Sequence, residues 1–283
     1  MSAVTRSDVA KAAEELGLKP GDTVLIHSSF KSMGYVEGGA ETVISGFLDL
    51  LGKDGTLVFP TLVQKDFTHA YETWYMDKPS DVGYLTNYFR KRDGSVRSDQ
   101  ATHSVAACGK NAVYLTETHG HTHKRFGCFG DTAFSADSPW EKMYQTDAKI
   151  IMLGVGVIYA TMRHLAEYIY VNEMLETVKA HPQYDALADR LHREHEGFYD
   201  VWPSVYTNWA VDRMKETGSV TFTKLGDAEL VCFGSKLLVD TILSALRNED
   251  WAALKWDDDP NEKWRGWTHW VDDCKKMQQE LNI

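Results

Sequence analysis

Apolar positions along the chain follow two alternating rhythms. From Thr5 to Leu18, Val9, Ala12, Ala13 and Leu16 recur at helical spacing, and Gly17, Pro20 and Gly21 end the run. Thr23-Val24-Leu25-Ile26 is then a short apolar run bounded by turn residues, which predicts a buried strand opening into His27-Ser28-Ser29. Residues 40–51 return to the helical period, and the run from Gly55 to Pro60 predicts a second strand, completing a βαβ unit. Lys149 to Gly154 predicts a third strand and Thr161 to Leu175 a helix. The alternation predicts an α/β sandwich in which the loops at strand ends carry function.

No repeat or low-complexity tract interrupts this pattern, so residues 1–283 are read as one domain. Its last stretch, 248–283, differs in character. Five of the nine tryptophans (Trp251, Trp256, Trp264, Trp267 and Trp270) lie there, around the acidic run Asp257-Asp258-Asp259-Pro260. From Asn261 onward Trp264, Trp267, Val271 and Cys274 share one helical face, which predicts a C-terminal helical extension packed on the body. A lid or a homodimer contact is the second reading of this tail, because tryptophan is enriched at interfaces.

Composition narrows the function classes. With 41 acidic and 30 basic residues the formal charge is −11, which argues against a nucleic-acid partner and suits a cationic substrate. Cys108, Cys128, Cys232 and Cys274 form no Cys-x-x-Cys pair, which fits a reducing cytoplasm better than a disulfide framework or a zinc knuckle. The N-terminal residues are charged and helix-like, and no stretch approaches 18 uninterrupted apolar residues, so neither export nor a membrane partner is expected.

Four segments carry candidate chemistry. His27 to Ala40 leaves a strand, crosses a glycine-bearing loop and enters a helix, presenting free N–H groups, hydroxyls and Lys31 to one small volume, as a pyrophosphate needs. It is neither the dinucleotide fingerprint nor a P-loop. Arg97 to Ala107 places a guanidinium, hydroxyls and His103 just before an apolar strand. His119, His121 and His123 would face one side of an extended segment, where zinc could bind, although no further ligand stands at a recognised spacing and no metal is expected. Finally, Gly154 to Tyr168 runs from a strand end through a glycine turn into a helix carrying Thr161, His164 and Glu167 at every third position. That spacing sets an imidazole beside a carboxylate, the pairing that general acid–base catalysis uses.

Taken in order, these motifs resemble the aminoglycoside 3-N-acetyltransferase family. The resemblance rests on Val-x-x-His-Ser-Ser and the glycines up to Ala40, then Gly55 to Thr61, Arg97 to Ala107, Ser138 to Tyr144 and Leu153 to Glu167. It implies an α/β/α sandwich with a mixed central sheet and an acetyl-coenzyme A-dependent transfer to a primary amine of an aminoglycoside or a related small amine. His164 matches the family's catalytic base, with Thr161 or nearby N–H groups at the oxyanion. Ser28, Ser29 and Lys31 with Gly34 and Gly39 would meet the coenzyme A phosphates, with His27 and Ser98 beside them. His103, Ser104 and Val105 would flank the pantetheine arm. The family also has an acidic residue some thirty positions beyond the histidine. This points to Glu194 as the orienting carboxylate, ahead of Glu196 and then Glu167. Gln100-Ala101 replaces the family's common His-Pro, Ala160 replaces a common polar residue, and beyond Glu176 the likeness fades. A coenzyme A-binding member with a repurposed acceptor site is therefore the alternative.

Overall fold

A computed structural model describes residues 3–65, 67, 69–121, 123–191, 202–203, 205–254 and 264–283. Seven strands form one sheet: β1 (Thr23–Ser28), β2 (Thr56–Pro60), β3 (Val96–Arg97), β4 (Val105–Gly109), β5 (Lys149–Leu153), β6 (Thr221–Leu225) and β7 (Ala228–Gly234), in the order β3-β4-β2-β1-β5-β7-β6. β1 runs parallel to β2 and β5, whereas the outer strands pair antiparallel, so the sheet is mixed. Three of the strands read from the sequence are this parallel trio, and the apolar strand expected after His103 is the antiparallel β4. The trio is legible because both faces are buried, which makes each a continuous apolar run.

Successive side chains of a strand point to opposite faces, and the core divides accordingly. Val24 and Ile26 of β1 join Leu57, Phe59, Ile151 and Leu153 beneath helices Arg6–Glu15 and Ala40–Leu51. Leu25 joins Val58, Ile150 and Met152 on the other face, under helices Arg163–Thr177 and Ser235–Arg247. The result is the expected α/β/α layering. Local chemistry fixes several helix ends: Thr5 and Asp8 form a reciprocal capping box, and Ser138 caps helix Pro139–Gln145, whose first residue is proline.

The tail contributes helix Trp264–Glu280, which begins close to the position expected. Trp267, Trp270, Val271, Cys274 and Met277 are buried in the second layer. The Trp264 side chain lies outside the described residues. Trp267 and Trp270 stack at 5.2 Å, Trp267 meets the Tyr170 ring at 5.9 Å, and Trp270 Nε1 donates to Leu187 O at 3.1 Å. The helix is thus tied both to Arg163–Thr177 and to the segment that follows it.

Among the described residues, no helix is long and apolar enough to cross a membrane.

Candidate active site

The chain leaves β1 for β2 on one side, and β5 arrives on the other. The C-terminal ends of three parallel strands therefore open together, the place where open α/β sheets hold ligands. A cavity of about 620 Å³ lies there. His27 and Ser28 enter it from β1, Pro60 and Leu62 from the end of β2, and Val155, Ile158 and Thr161 from the turn after β5, with Arg163 and His164 at the helix start. Asp81 and Val82 complete the wall from a loop between β2 and β3. Asp81 Oδ2 accepts from the backbone N–H groups of Gln64 and Lys65, both at 2.8 Å, so this carboxylate organises its own rim.

Gly154 makes the β5 turn tight. Its φ is +62°, and a Cβ there would run into the Ser32 hydroxyl, so only glycine lets this turn pack on the loop after β1. A short 3₁₀ turn, Val157–Tyr159, then leads into helix Arg163–Thr177. His164 and Glu167 fall in its first turns. The Nδ1 of His164 lies 2.7 Å from Oε2 of Glu167, whose side chain is wholly buried. Trp202 Nε1 donates to the same oxygen at 3.0 Å, and the backbone N–H of Val205 donates to Oε1 at 2.9 Å. A carboxylate only accepts, so the imidazole proton belongs on Nδ1 and Nε2 is left as the basic nitrogen. Burial pushes the His164 pKa below its ordinary value, against the opposing pull of Glu167, with the Arg163 charge adding to the lowering.

Two further histidines border the site without sharing its geometry. His27 is buried in the cavity wall, and its Nε2 has no hydrogen-bond partner among the described residues. Burial, then the Arg163 charge, lowers its pKa to about 3, so it stays neutral. His103 stacks on Phe67 and meets Phe129, Phe134 and, at 6.1 Å, the edge of His164. Its Nδ1 lies 2.8 Å from the Thr102 hydroxyl, and its backbone carbonyl accepts from Trp140 Nε1.

The residues expected at the site separate into three groups. His27, Ser28, Thr161 and His164 line the cavity. Ser29, Lys31, Gly34 and Gly39 lie on the loop leading away from it: Lys31 is exposed on a 3₁₀ turn, and Gly39 precedes helix Ala40–Leu51. Ser98, Ser104 and Val105 do not line it. Ser98 Oγ accepts from Val105 N and pairs with His119 Nδ1, Ser104 Oγ bonds Thr61, and Val105 is core within β4. These three frame the wall through the sheet. Thr161 precedes the helix and its carbonyl accepts from the His164 N–H, so it is a turn residue and not the first of three on one helical face.

Glu194 and Glu196 lie outside the described residues. The geometry gives the Nδ1 position to Glu167, placed third by the sequence reading. The triplet His119, His121 and His123 is divided by the fold. His119 is buried, with Nδ1 on Ser98 and Nε2 on the Ala133 carbonyl, whereas His121 and His123 are exposed. The segment turns, with His123 at a φ of +48°, so the premise of an extended run facing one side fails. Among the described residues no group of three potential metal ligands forms.

His119 supplies a pH dependence of stability. Burial, which outweighs the raising effects of the Ala133 carbonyl and nearby carboxylates, lowers its pKa to about 4, against 6.5 when exposed. Below 6.5 the unfolded chain takes up a proton that the folded chain refuses. Stability is therefore expected to fall as pH drops from 6.5 towards 4, by about 1.4 kcal/mol per pH unit for this histidine. Urea midpoints across this range should fall less steeply in His119→Gln, and an unchanged slope would exclude His119 as a cause.

The architecture and site define an α/β sandwich whose buried histidine–carboxylate pair opens into a cleft at the ends of parallel strands. A family model described as aminoglycoside 3-N-acetyltransferase matches residues 25–247, and the chain belongs to that family. Aminoglycoside N(3)-acetyltransferase VII of Streptomyces paromomycinus is 31% identical over 182 residues, 58% of this chain and 60% of that protein. A prophage-derived aminoglycoside N(3')-acetyltransferase-like protein of Bacillus subtilis is 28% identical over 185 residues, 58% of this chain and 65% of that one. The chain thus spans less than two thirds of the length of these curated relatives. The crystal structure of the aminoglycoside acetyltransferase AAC(3)-IVa apoenzyme superposes with a TM-score of 0.68 at 21% identity, covering 95% of this chain and 99% of that one. The solved structure of AAC-IIIb in a binary complex with CoASH gives 0.63 at 18% identity, over 88% and 98%. At these identities the likeness is one of fold.

Proposed function

We propose that this protein transfers an acetyl group from acetyl-coenzyme A to a primary amine, an aminoglycoside or a smaller amine, with His164 as general base. The observation that carries the reading is the His164–Glu167 pair, whose histidine lines a cleft at the ends of the parallel strands. The donor fits what is present. Pro60, Leu62, Val82, Val155 and Ile158 give the cleft apolar walls suited to a pantetheine arm, and Ser28, Gln64 and Thr86 supply polar contacts. Ser29, Lys31 and the glycines to Gly39 follow in the loop as the group that would meet phosphates.

When bound, the coenzyme supplies an activated thioester carbonyl. His164 Nε2 takes the proton from the attacking amine, and Glu167 holds Nδ1–H and offsets the imidazolium charge. Thr161, in the turn before the helix, lines the cavity and could donate to the charge that develops on the acyl oxygen, and Arg163 adds a fixed positive charge in the same wall. The His164 proton then passes to the departing thiolate, so the products are an amide and a free thiol. Membership of the family, a relative named as an aminoglycoside acetyltransferase and a related fold solved with CoASH all support this reading.

A thiol-release assay with acetyl-coenzyme A over a panel of aminoglycosides and small amines tests it. Thiol release that depends on an amine, with the acetylated product identified by mass, is the expected result. Coenzyme A binding without acetylation of any amine would instead favour a member whose acceptor site has been repurposed.

A further inference from the structure

Glu167 is held from two directions. Its own helix places it beside His164, and a segment thirty-five residues further on covers it. Both carboxylate oxygens receive a donor from that segment: Trp202 Nε1 on Oε2 at 3.0 Å and Val205 N–H on Oε1 at 2.9 Å. With one oxygen tied to a side chain and the other to backbone, the carboxylate plane cannot turn. Oε2 also receives His164 Nδ1 at 2.7 Å, which uses both of its lone pairs.

The identity of the donor matters. An indole N–H donates and never accepts, unlike a hydroxyl or an amide, which could reverse and meet a protonated carboxyl. A proton on Oε2 would face two N–H groups, so the proton of the pair is confined to the imidazole. Trp202 is itself fixed: it is 4% exposed and its ring meets the edge of Tyr168 at 5.1 Å. Beyond it, Val205 is fully buried and the Tyr206 N–H donates to the Leu254 carbonyl at 3.0 Å.

We propose that Trp202 is a positioning residue of the transfer reaction, locking the Glu167 carboxylate so that His164 presents Nε2 as the base. The proposal rests on the reading of His164 as the base. Other charged or titratable groups also face His164: Arg163 on its own helix, His103 from the segment before β4, and His27 and Asp81 in the cavity wall. Of these, Arg163 acts electrostatically on Glu167 as well as on His164. Trp202 supplies a side-chain donor there besides His164 itself.

The test is Trp202→Phe, which keeps a ring against Tyr168 and removes only the donor. The expected result is a fall in kcat of about tenfold, the scale on which partners behind a first ligand act, with KM for both substrates nearly unchanged. Without the indole proton, more negative charge stays on Oε2 and holds the imidazolium more strongly. The His164 titration, followed by NMR of its ring, should therefore move to higher pH, and the acid limb of kcat should move with it. A folded Trp202→Phe protein with wild-type kcat and a wild-type His164 titration would overturn the proposal. Should the variant not fold, the wild-type protein decides: the Trp202 indole N–H resonance should titrate with the His164 midpoint, and a resonance flat across that range overturns it. These NMR readouts need no activity. Wild-type protein that acetylates no amine would sink the functional reading, while the titration still decides the clamp.

Discussion

His164→Ala is expected to lower kcat by about 10² to 10⁴, the range that a positioned general base contributes, while coenzyme A still binds. The two halves of this expectation have separate structural causes. His164 forms one part of the cavity wall, whereas the residues proposed to meet the coenzyme come from strand ends, a loop and a helix that the substitution does not touch. Folding should survive, because Glu167 keeps two of its three donors, Trp202 Nε1 and Val205 N–H. Steady-state thiol release, calorimetric titration with coenzyme A and a thermal melt read these three quantities. A variant with near-normal turnover would end the case for His164 as the base. The acid limb of kcat in the unmutated protein offers a companion check. Burial lowers the His164 pKa, so the ring stays neutral, and usable as a base, below 6.5.

Glu167→Gln is expected to cost both activity and stability, because an amide cannot serve three donors. If its oxygen takes the place of Oε2, the amide NH₂ faces the Val205 N–H. If it takes the place of Oε1, the NH₂ faces the Trp202 N–H and invites a lone pair on His164 Nδ1. The second arrangement moves the imidazole proton to Nε2 and turns the base into a donor. Either way one buried N–H is left unmatched, at a cost of about 1–3 kcal/mol, and the charge that offsets the imidazolium is gone. The urea midpoint and kcat should both fall, with kcat lower by about 10² to 10⁴. Wild-type turnover in this variant would show that another carboxylate supports the histidine.

The parallel strands were readable because burial on both faces leaves little but apolar residues in them. β6 and β7 escaped for the converse reason. Thr221, Phe222 and Lys224 of β6 are polar or exposed at the sheet edge, and β7 interleaves Glu229 with apolar residues, so neither forms a clean run. β3 is only two residues long and is held by pairing with β4. At the site, the motif resemblance singled out His164, and the three-residue spacing to Glu167 showed that a carboxylate could reach it.

Choosing Glu167 required knowing that it faces inward. Leu165, Ala166, Glu167 and Tyr168 are all buried, so the polar face of Arg163, His164 and Glu167 turns inward, the reverse of what an amphipathic pattern implies. The donors behind Glu167 were beyond sequence reasoning altogether. One is a backbone N–H and the other an indole thirty-five residues away, and no spacing rule joins them to position 167. Ser98 and Ser104 stand apart from the cavity. Their hydroxyls occur in a motif that suggests ligand contact, yet both are spent joining strands and loops around the wall.

Helix Trp264–Glu280 reaches back to residues that were made long before it. Trp270 bonds Leu187, Gln278 bonds Thr177 and Glu280 pairs with His181, closures that span 83, 101 and 99 positions. All three partners lie between the end of the His164 helix and Trp202. Closures this long come late, since chain entropy must be spent before the contact rewards it. Without this helix the segment that follows the His164 helix would lose all three of these closures at once.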